Sequence, residues 1–373
     1  MSDCNYTYDI DYLDKICKKF KIKGKITAVK PLTQGHINKT YDIAYSSGER
    51  YILQYINSYV FKEPEAVMEN TALVTKHIKN GLIARDIDPA RLVLDFFLAD
   101  GKNYYVDELG DFWRLRMNIQ NSISYSQTND LNIIKEAGKA FGNFQNLLSN
   151  FDAKKLNIVI PHFHNTKYRF MQLNRAAKND IMGRLAETQK IYDEYLLLKN
   201  LATKMYQMQI RGELPLRVTH NDTKINNVLF DKYTNKRLAV IDLDTIMPGL
   251  IGFDYGDAIR FTANASVEDE EDLSKVYLDF DKFMAFTKGF VGEVKNAITS
   301  VELQTLSLGA VTMTIECGVR FLADYLCGDR YFCIDYLEHN LVRSRCQLAL
   351  AKDMLAKLDK MECFANSELR IMN

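Results

Sequence analysis

The chain has 373 residues, nearly half of them hydrophobic, with 48 basic and 48 acidic side chains and a formal net charge of zero. That length supplies two core regions or lobes, the balanced charge argues against a nucleic-acid binder held by phosphate contacts, and no apolar run approaches the ~18 residues that a membrane helix needs. The polar, acidic start MSDCNYTYDIDYLDK is unlike a signal peptide, and cysteines at 4, 17, 317, 327, 333, 346 and 363 are odd in number with no C-x-x-C pair, which predicts reduced thiols in a cytoplasmic protein.

In chain order, residues 9–20 read as a short amphipathic helix, with Ile10, Leu13, Ile16 and Cys17 or Phe20 on one face. Strands follow at 25–31, 39–46 and 50–56, the last two joined by a turn at Ser46-Ser47-Gly48-Glu49. The segment from Leu32 to Asn38 holds a single glycine, Gly35, and by itself fits an ordinary hairpin turn as well as a phosphate loop. Pro64 to Asn80 is a helix: proline in the first turn, Val67, Thr71, Val74 and Ile78 as its stripe, and Gly81 as its stop. Further strands are expected at 91–98, 103–107 and 112–118. A helix then runs from Asn129-Asp130 to Asn150 on Leu131, Ile134, Gly138, Phe141, Phe144 and Leu148. His162 and His164 stand two apart, but with no third ligand nearby they mark a structural or pocket-lining loop rather than a metal site. Helices are expected over 167–178, 183–210, 268–291, 298–326 and 338–363. Glu316, Arg320 and Asp324 share one helix face, either as a salt-bridge ladder or with Arg320 presenting its fork of donors to a pocket. Six prolines and no low-complexity stretch argue against a long linker.

Residues 216–261, LRVTHNDTKINNVLFDKYTNKRLAVIDLDTIMPGLIGFDYGDAIRF, carry the chemistry. Two apolar runs, Asn227–Phe230 and Leu238–Ile241, flank a polar turn and read as a hairpin. Its two ends bring together His220-Asn221-Asp222 with Asn227, and Asp242-Leu243-Asp244. Carboxylates gathered this closely repel unless a cation sits among them. Oxygen ligands favour magnesium, which completes its shell with substrate phosphates. One aspartate to accept the proton of an attacking hydroxyl, one asparagine and one metal-binding aspartate are what phosphoryl transfer requires. H-N-D-T-K-I-N-N also follows the H-R-D-x-x-x-x-N pattern of a kinase catalytic loop.

THNDTKINNVLF, VIDLDTIMPGL and DYGDAIRF closely resemble the N-acetylhexosamine 1-kinase family, within the aminoglycoside phosphotransferase and choline kinase superfamily. GHIN, YILQYIN, MEN, Trp113-Arg114 and GVRFLADYL agree, so the resemblance runs from about residue 30 to residue 335. It implies an α+β, two-lobed protein-kinase-like fold: an N-terminal nucleotide lobe over 1–117, a hinge at 118–121 and a mostly helical catalytic lobe over 122–373. The implied reaction moves the γ-phosphoryl of ATP, with Mg2+, to the anomeric hydroxyl of N-acetylglucosamine or N-acetylgalactosamine, in a monomer with no nucleic-acid or membrane partner.

By the same resemblance Asp222 is the catalytic base, and Asn227, Asp242 and Asp244 hold the metal. Gly35 lies in a lid over the nucleotide and Ile37 beside the acceptor; Asn118 and Ile119 meet the adenine; Thr245, Arg320 and Tyr331 contact the sugar. Asp254 and Asp257 brace the catalytic loop. Gln54 departs from the kinase pattern, because it stands where a lysine holds the α- and β-phosphates and a glutamine brings no charge. Lys39 or Lys62 is expected to substitute, and Glu69, with no lysine to pair, has no assigned role. Two rival readings remain open: another small-alcohol kinase of the superfamily, and a nucleotide-binding pseudokinase, for which Gln54 is the only support.

Overall fold

The computed structural model describes residues 8–32 and 38–371. Five strands, β1 (Ile26–Leu32), β2 (Lys39–Tyr45), β3 (Arg50–Ile56), β4 (Tyr105–Val106) and β5 (Phe112–Met117), form an antiparallel sheet in the order β1-β2-β3-β5-β4. Side chains alternate across a strand. Tyr41, Ile43 and Tyr45 of β2 therefore face Leu13, Ile16 and Cys17 of helix α1 (Ile10–Lys19) in one apolar cluster. The register sets Gln54 opposite Thr40 on one side and opposite Arg114 on the other. Helix α2 (Pro64–Ile83) lies beyond β3 and continues past Gly81.

The run 91–98 is not a strand. Leu92 and Val93 turn back onto the carbonyl of Pro89, and only Phe96 and Phe97 touch β5. Leu92, Val93, Leu94 and Phe96 instead pack among α2, Phe144 and Leu147. The apolar run is buried by helices rather than by a ladder, two outcomes that periodicity alone does not separate.

The second lobe is mostly helical. A three-stranded sheet of β6 (Ser122–Ile123), β8 (Val228–Asp231) and β9 (Arg237–Val240) and a ribbon of β7 (Arg217–Thr219) with β10 (Met247–Gly249) sit under the cleft. Around them pack α3 (Leu131–Leu147), α4 (Thr166–Asn179), α5 (Leu185–Ala202), α6 (Lys204–Ile210), α7 (Ile251–Thr262), α8 (Phe280–Val294), α9 (Ser300–Gln304), α10 (Leu306–Leu326), α11 (His339–Ala356) and α12 (Leu358–Ile371). The helices expected over 183–210 and 298–326 break at Thr203 and Thr305, whose hydroxyls bond carbonyls of the preceding turn. The one expected over 338–363 breaks at Lys357. The helix expected from 268 starts only at Phe280, where Asp279 caps it. The like-charged run Glu268 to Asp272 cannot stack on a helix face without repulsion, and Glu268 turns away to Arg260.

Helix α10 is the lobe's axis. It is the one helix among the described residues long and apolar enough to cross a membrane, yet 89% of its most apolar window is buried inside the protein. It meets α7 at backbone contact: a Cβ on Gly309 would lie 2.1 Å from the carbonyl oxygen of Gly252. That approach fixes α7, and α7 in turn fixes the catalytic loop.

Candidate active site

Two loops meet at the floor of the cleft. β7 leads into His220–Asn227, and β9 leads into Asp242–Thr245 before the chain returns as β10 alongside β7. His220 ties them: its Nε2 donates to the carbonyl of Ile241 at 2.8 Å, and its Nδ1 accepts from the backbone N–H of Asp222 at 3.2 Å. The N–H of Ile241 donates to the carbonyl of Asn227 at 2.9 Å. Asn221 and Asp242 both take positive φ, 66° and 60°, which turns each chain sharply at the site.

Helix α7 braces the catalytic loop from below. Asp254 accepts the backbone N–H groups of His220 and Asn221 at 2.8 Å each and the amide of Gln145 at 2.8 Å. Asp257 accepts the N–H of Thr223 at 3.2 Å and pairs with Arg260 at 3.0 Å. Burial pushes the Asp257 carboxyl up, but Arg260 and Lys224 outweigh it and hold the group below the usual range. Asp254 has no such cation, and burial holds its carboxyl above that range.

Asp222 remains about 30% exposed, with one oxygen 3.2 Å from Lys224 Nζ and the other accepting from Asn227 Nδ2 at 3.0 Å. Asn227 also donates to the Asp222 carbonyl at 2.8 Å. Its amide nitrogen is thus committed to Asp222, and its oxygen is the atom that faces any cation. Asp222 holds the Lys224 ammonium up at about 12 against the cost of burial. Asp242 is enclosed by protein yet open to solvent on its outer side. Enclosure, then Asp244 and Asp222, raise its carboxyl well above the ordinary range. Such crowding is relieved by a cation. Among the described residues no three His, Cys, Asp or Glu side chains converge in ligating geometry. A hard cation here would thus rest on few protein oxygens and take the rest from phosphates, as magnesium does.

Asp244 is placed differently from the other acids. One oxygen lies 2.6 Å from Arg114 Nη1 of β5, with both side chains about 3% exposed, and the other accepts from Asn38. The Arg114 contact is an ion pair whose alignment falls short of a hydrogen bond. Asn38 also accepts the backbone N–H of Asn57 at 2.9 Å. Asp244 therefore joins the sheet to the cleft floor through Arg114 and Asn38. Gln54 holds the partner: its Oε1 accepts from Arg114 Nε at 3.1 Å while its Nε2 donates to Thr40 at 3.1 Å. The lysines expected to replace it lie elsewhere. Lys39, adjacent to Thr40 and so on the opposite face, sits over the rings of Tyr8 and Tyr55, and Lys62 sits over Tyr59. Glu69 accepts from Asn157 at the surface, whereas its neighbour Asn70 is buried and donates to the carbonyl of Ile246 at 2.9 Å.

The remaining expected contacts divide. Gly35 and Ile37 lie outside the described residues. Asn118 bonds the carbonyl of Arg50 through its N–H, and the Ile119 side chain is buried in a cluster with Val74, Leu94, Val218 and Leu243. The Thr245 hydroxyl donates to the carbonyl of His220 at 2.6 Å, which turns it toward the catalytic loop. Glu316 and Asp324 form no ladder with Arg320. Glu316 takes His164 Nδ1 at 2.8 Å and Thr166 at 2.6 Å, and Asp324 caps the N–H groups of Arg330, Tyr331 and Phe332. The Arg320 guanidinium lies 5.4–5.8 Å from the ring centres of Phe163, Tyr331 and Phe332. His164 Nε2 reaches the carbonyl of Asn221 at 3.1 Å, so a chain Glu316–His164–Asn221 couples α10 to the residue before Asp222.

Comparison with known proteins agrees with this layout. The model of the phosphotransferase enzyme family matches residues 28–286, and the chain belongs to that family. Choline kinase from Cryptosporidium parvum superposes with a TM-score of 0.58 at 13% identity, covering 97% of this chain and 99% of that one. A GDP complex of aminoglycoside 2'-phosphotransferase-IIIa gives 0.58 at 13% over 92% and 99%. Plasmodium vivax ethanolamine kinase gives 0.51 at 14% over 85% and 80%. At these identities the likeness establishes the fold, which is protein-kinase-like.

Proposed function

We propose that this protein is an ATP-dependent kinase that phosphorylates the anomeric hydroxyl of an N-acetylhexosamine, N-acetylglucosamine or N-acetylgalactosamine. The observation that carries the kinase reading is the Asp222 carboxylate. It is solvent-accessible, oriented by Asn227 and Lys224, and set beside Asp242 at the floor of a cleft between two lobes that join over 118–121. Asp222 accepts the proton of the sugar hydroxyl as its oxygen attacks the γ-phosphorus. The bond to the β-phosphate oxygen breaks and ADP leaves. A positioned base of this kind contributes roughly 10²–10⁴ in rate. Asn227 and Asp242 would hold magnesium, which supplies charge neutralisation across the phosphates. Lys224 steadies Asp222 and carries a positive charge at the transfer point. Asp244 acts on the sheet side, as partner of Arg114.

In this reading the cation that kinases place on the third strand comes from the fifth. Gln54 keeps the lysine's position but holds Arg114, and no acceptor among the described residues reaches Arg114 Nη2, leaving those donors for phosphate. The choice of a neutral sugar over an amino alcohol rests on the sequence motifs and on Arg320. An acceptor cation would need the aromatic faces of Phe163, Tyr331 and Phe332, and Arg320 already sits over all three.

The test is ADP release with magnesium-ATP against N-acetylglucosamine, N-acetylgalactosamine, galactose, glucose, choline and kanamycin, with phosphorus NMR of the product. A sugar 1-phosphate from an N-acetylhexosamine is expected. Turnover with another acceptor alone keeps the kinase and discards the substrate. ATP binding without turnover on any acceptor discards the enzyme reading.

A further inference from the structure

Arg116 is the second buried arginine of β5, and the chemistry proposed above does not use it. Asp42, Ile52 and Arg116 lie side by side across β2, β3 and β5, in the row next to Thr40, Gln54 and Arg114 and one step nearer the lobe connection. Residues two apart in a strand share a face, so Arg116 looks to the same side as Arg114. It is 8% exposed, and among the described residues no carboxylate pairs with it. Asp42, the acid of its row, is held by Arg50 through bonds of 2.7 and 3.2 Å. Arg116 Nη1 donates to the carbonyl of Met117 at 3.1 Å. Its Nε and Nη2 find no acceptor among the described residues, yet neither is sealed from solvent. Burial, then Arg114, push the guanidinium down to about 10 against the pull of Asp42, so it stays a cation at neutral pH. A buried cation without an acid is costly, and the free donors beside the lobe connection mark a place where a ligand completes the bonding.

The lobe connection itself is short of acceptors. The carbonyl of Ile119 takes the Ser122 hydroxyl at 2.5 Å, those of Gln120 and Asn121 take Arg91 at 3.0 and 3.2 Å, and that of Met117 takes Arg116. Asn118 directs its N–H to Arg50 of β3, and in an antiparallel pair the carbonyl of a residue points to the same strand as its N–H. A triphosphate anchored at Arg114 and Asp242 lays its base toward this end of the sheet, because toward the other end Ile56 is buried among Phe61, Val67, Met68 and Met247.

We propose that Arg116 sets the nucleotide choice by taking the 6-oxo edge of a purine, so that guanine and hypoxanthine nucleotides bind at least as tightly as adenine nucleotides. The inference rests on the reading of the cleft as a kinase site and adds the base to it. Arginine forks onto the O6 and N7 acceptors of a 6-oxopurine. Adenine offers N7 but sets its 6-amino group, a donor, against a guanidinium that can only donate. The bonds of the transfer are unchanged: the acceptor oxygen joins the γ-phosphorus, the bond to the β-phosphate oxygen breaks, and GDP or IDP leaves in place of ADP.

The experiment is calorimetric titration of the full chain with the magnesium complexes of ADP, GDP and IDP, without acceptor. IDP differs from ADP in carrying an oxo group where ADP carries the 6-amino group. Wild type is expected to bind IDP and GDP at least as tightly as ADP. Arg116→Met should lower the preference for IDP over ADP about tenfold, the loss of a forked contact. Arg116→Lys keeps the charge without the fork and should lower it by a smaller factor; it stands in if Arg116→Met does not fold. An arginine with a structural role alone would shift all three affinities together. ADP bound most tightly by wild type, or an unchanged preference in the variants, overturns the inference and leaves the kinase reading standing. No binding of any of the three at millimolar concentration overturns both.

Discussion

Replacing Arg114 by methionine tests the link between the sheet and the cleft floor. Methionine keeps much of the apolar stem and removes the guanidinium. In the structure this leaves Asp244, about 3% exposed, with Asn38 as its remaining partner, and leaves Gln54 Oε1 without its donor. Breaking a buried pair from one side costs about 3–5 kcal/mol, because the other charge stays buried. An unfolding entropy of ~2.1 cal/mol/K per residue over 373 residues converts that to a fall in melting temperature of about 4–6 °C. Arg114→Met/Asp244→Asn removes both charges and should recover most of the loss, so the cycle should show coupling of about 2 kcal/mol or more. Calorimetry of the four proteins measures this. A separate readout addresses the phosphates: Arg114→Met should raise KM for ATP and leave inhibition by adenosine unchanged, since adenosine presents nothing to a phosphate-binding cation. A double variant no more stable than Arg114→Met, or a single variant that loses less than about 1 kcal/mol, refutes the buried-pair argument. Parallel weakening of ATP and adenosine refutes the phosphate role.

Three further outcomes are expected. Asp222→Asn should keep nucleotide affinity and lose turnover by about 10²–10⁴, measured as ADP release beside equilibrium nucleotide titration; undiminished turnover removes its role as base. Asp242→Ala should weaken magnesium-nucleotide binding while leaving metal-free nucleotide binding near its original level, and equal affinities in magnesium would count against it as a ligand. Burial raises the Glu316 carboxyl, but the hydrogen bond and charge of His164 outweigh this and hold it below its ordinary value of 4.5. A depressed acid stabilises the fold above its unfolded-state pKa and loses that contribution as pH falls through the folded-state value. Wild type should therefore lose stability below about pH 4.5, and Glu316→Gln should flatten that acid limb in pH-dependent denaturant melts.

The parts legible in the sequence are those whose partners are near in the chain or fixed by a hairpin. His220, Asp222, Asn227 and Asp242 come together because two short strands and one turn bring their ends to one edge, and that geometry needs only local pattern. Asp254 and Asp257 were expected as braces from the family resemblance rather than from local pattern, and both accept backbone N–H groups of the catalytic loop. The run 268–272 carries five like charges in a row, which repel along a helix face, so the helix expected from 268 starts only at Phe280. The run 91–98 misled because a buried apolar segment has the same composition whether a strand or a helix buries it. His164 was readable only as one member of an unexplained pair; its partner Glu316 lies 152 residues away.

Arg114 shows most clearly where reading one position at a time stops. At Gln54 the expected lysine is missing, and within that strand nothing replaces it. Lys39 is close in the chain but points to the opposite face, because adjacent strand residues alternate. The cation proposed to replace it, Arg114, stands opposite Gln54 in the ladder, 60 residues later, on the same face. A signal was present: Phe112-Trp113-Arg114-Leu115-Arg116 places two arginines two apart in an otherwise apolar strand, and both are buried. Arg116 bonds the carbonyl of Met117, whereas Arg114 is matched by an acid. The acid is Asp244, the second carboxylate of Asp242-Leu243-Asp244. The register separates them. On the proposed reading Asp242 keeps its solvent-facing side for the phosphates' cation, while Asp244 pairs with Arg114. Gln54 is then no defect in a kinase site. Its amide accepts from Arg114 Nε at 3.1 Å, and on the proposed reading that guanidinium takes the lysine's part, so the missing lysine does not by itself favour a pseudokinase.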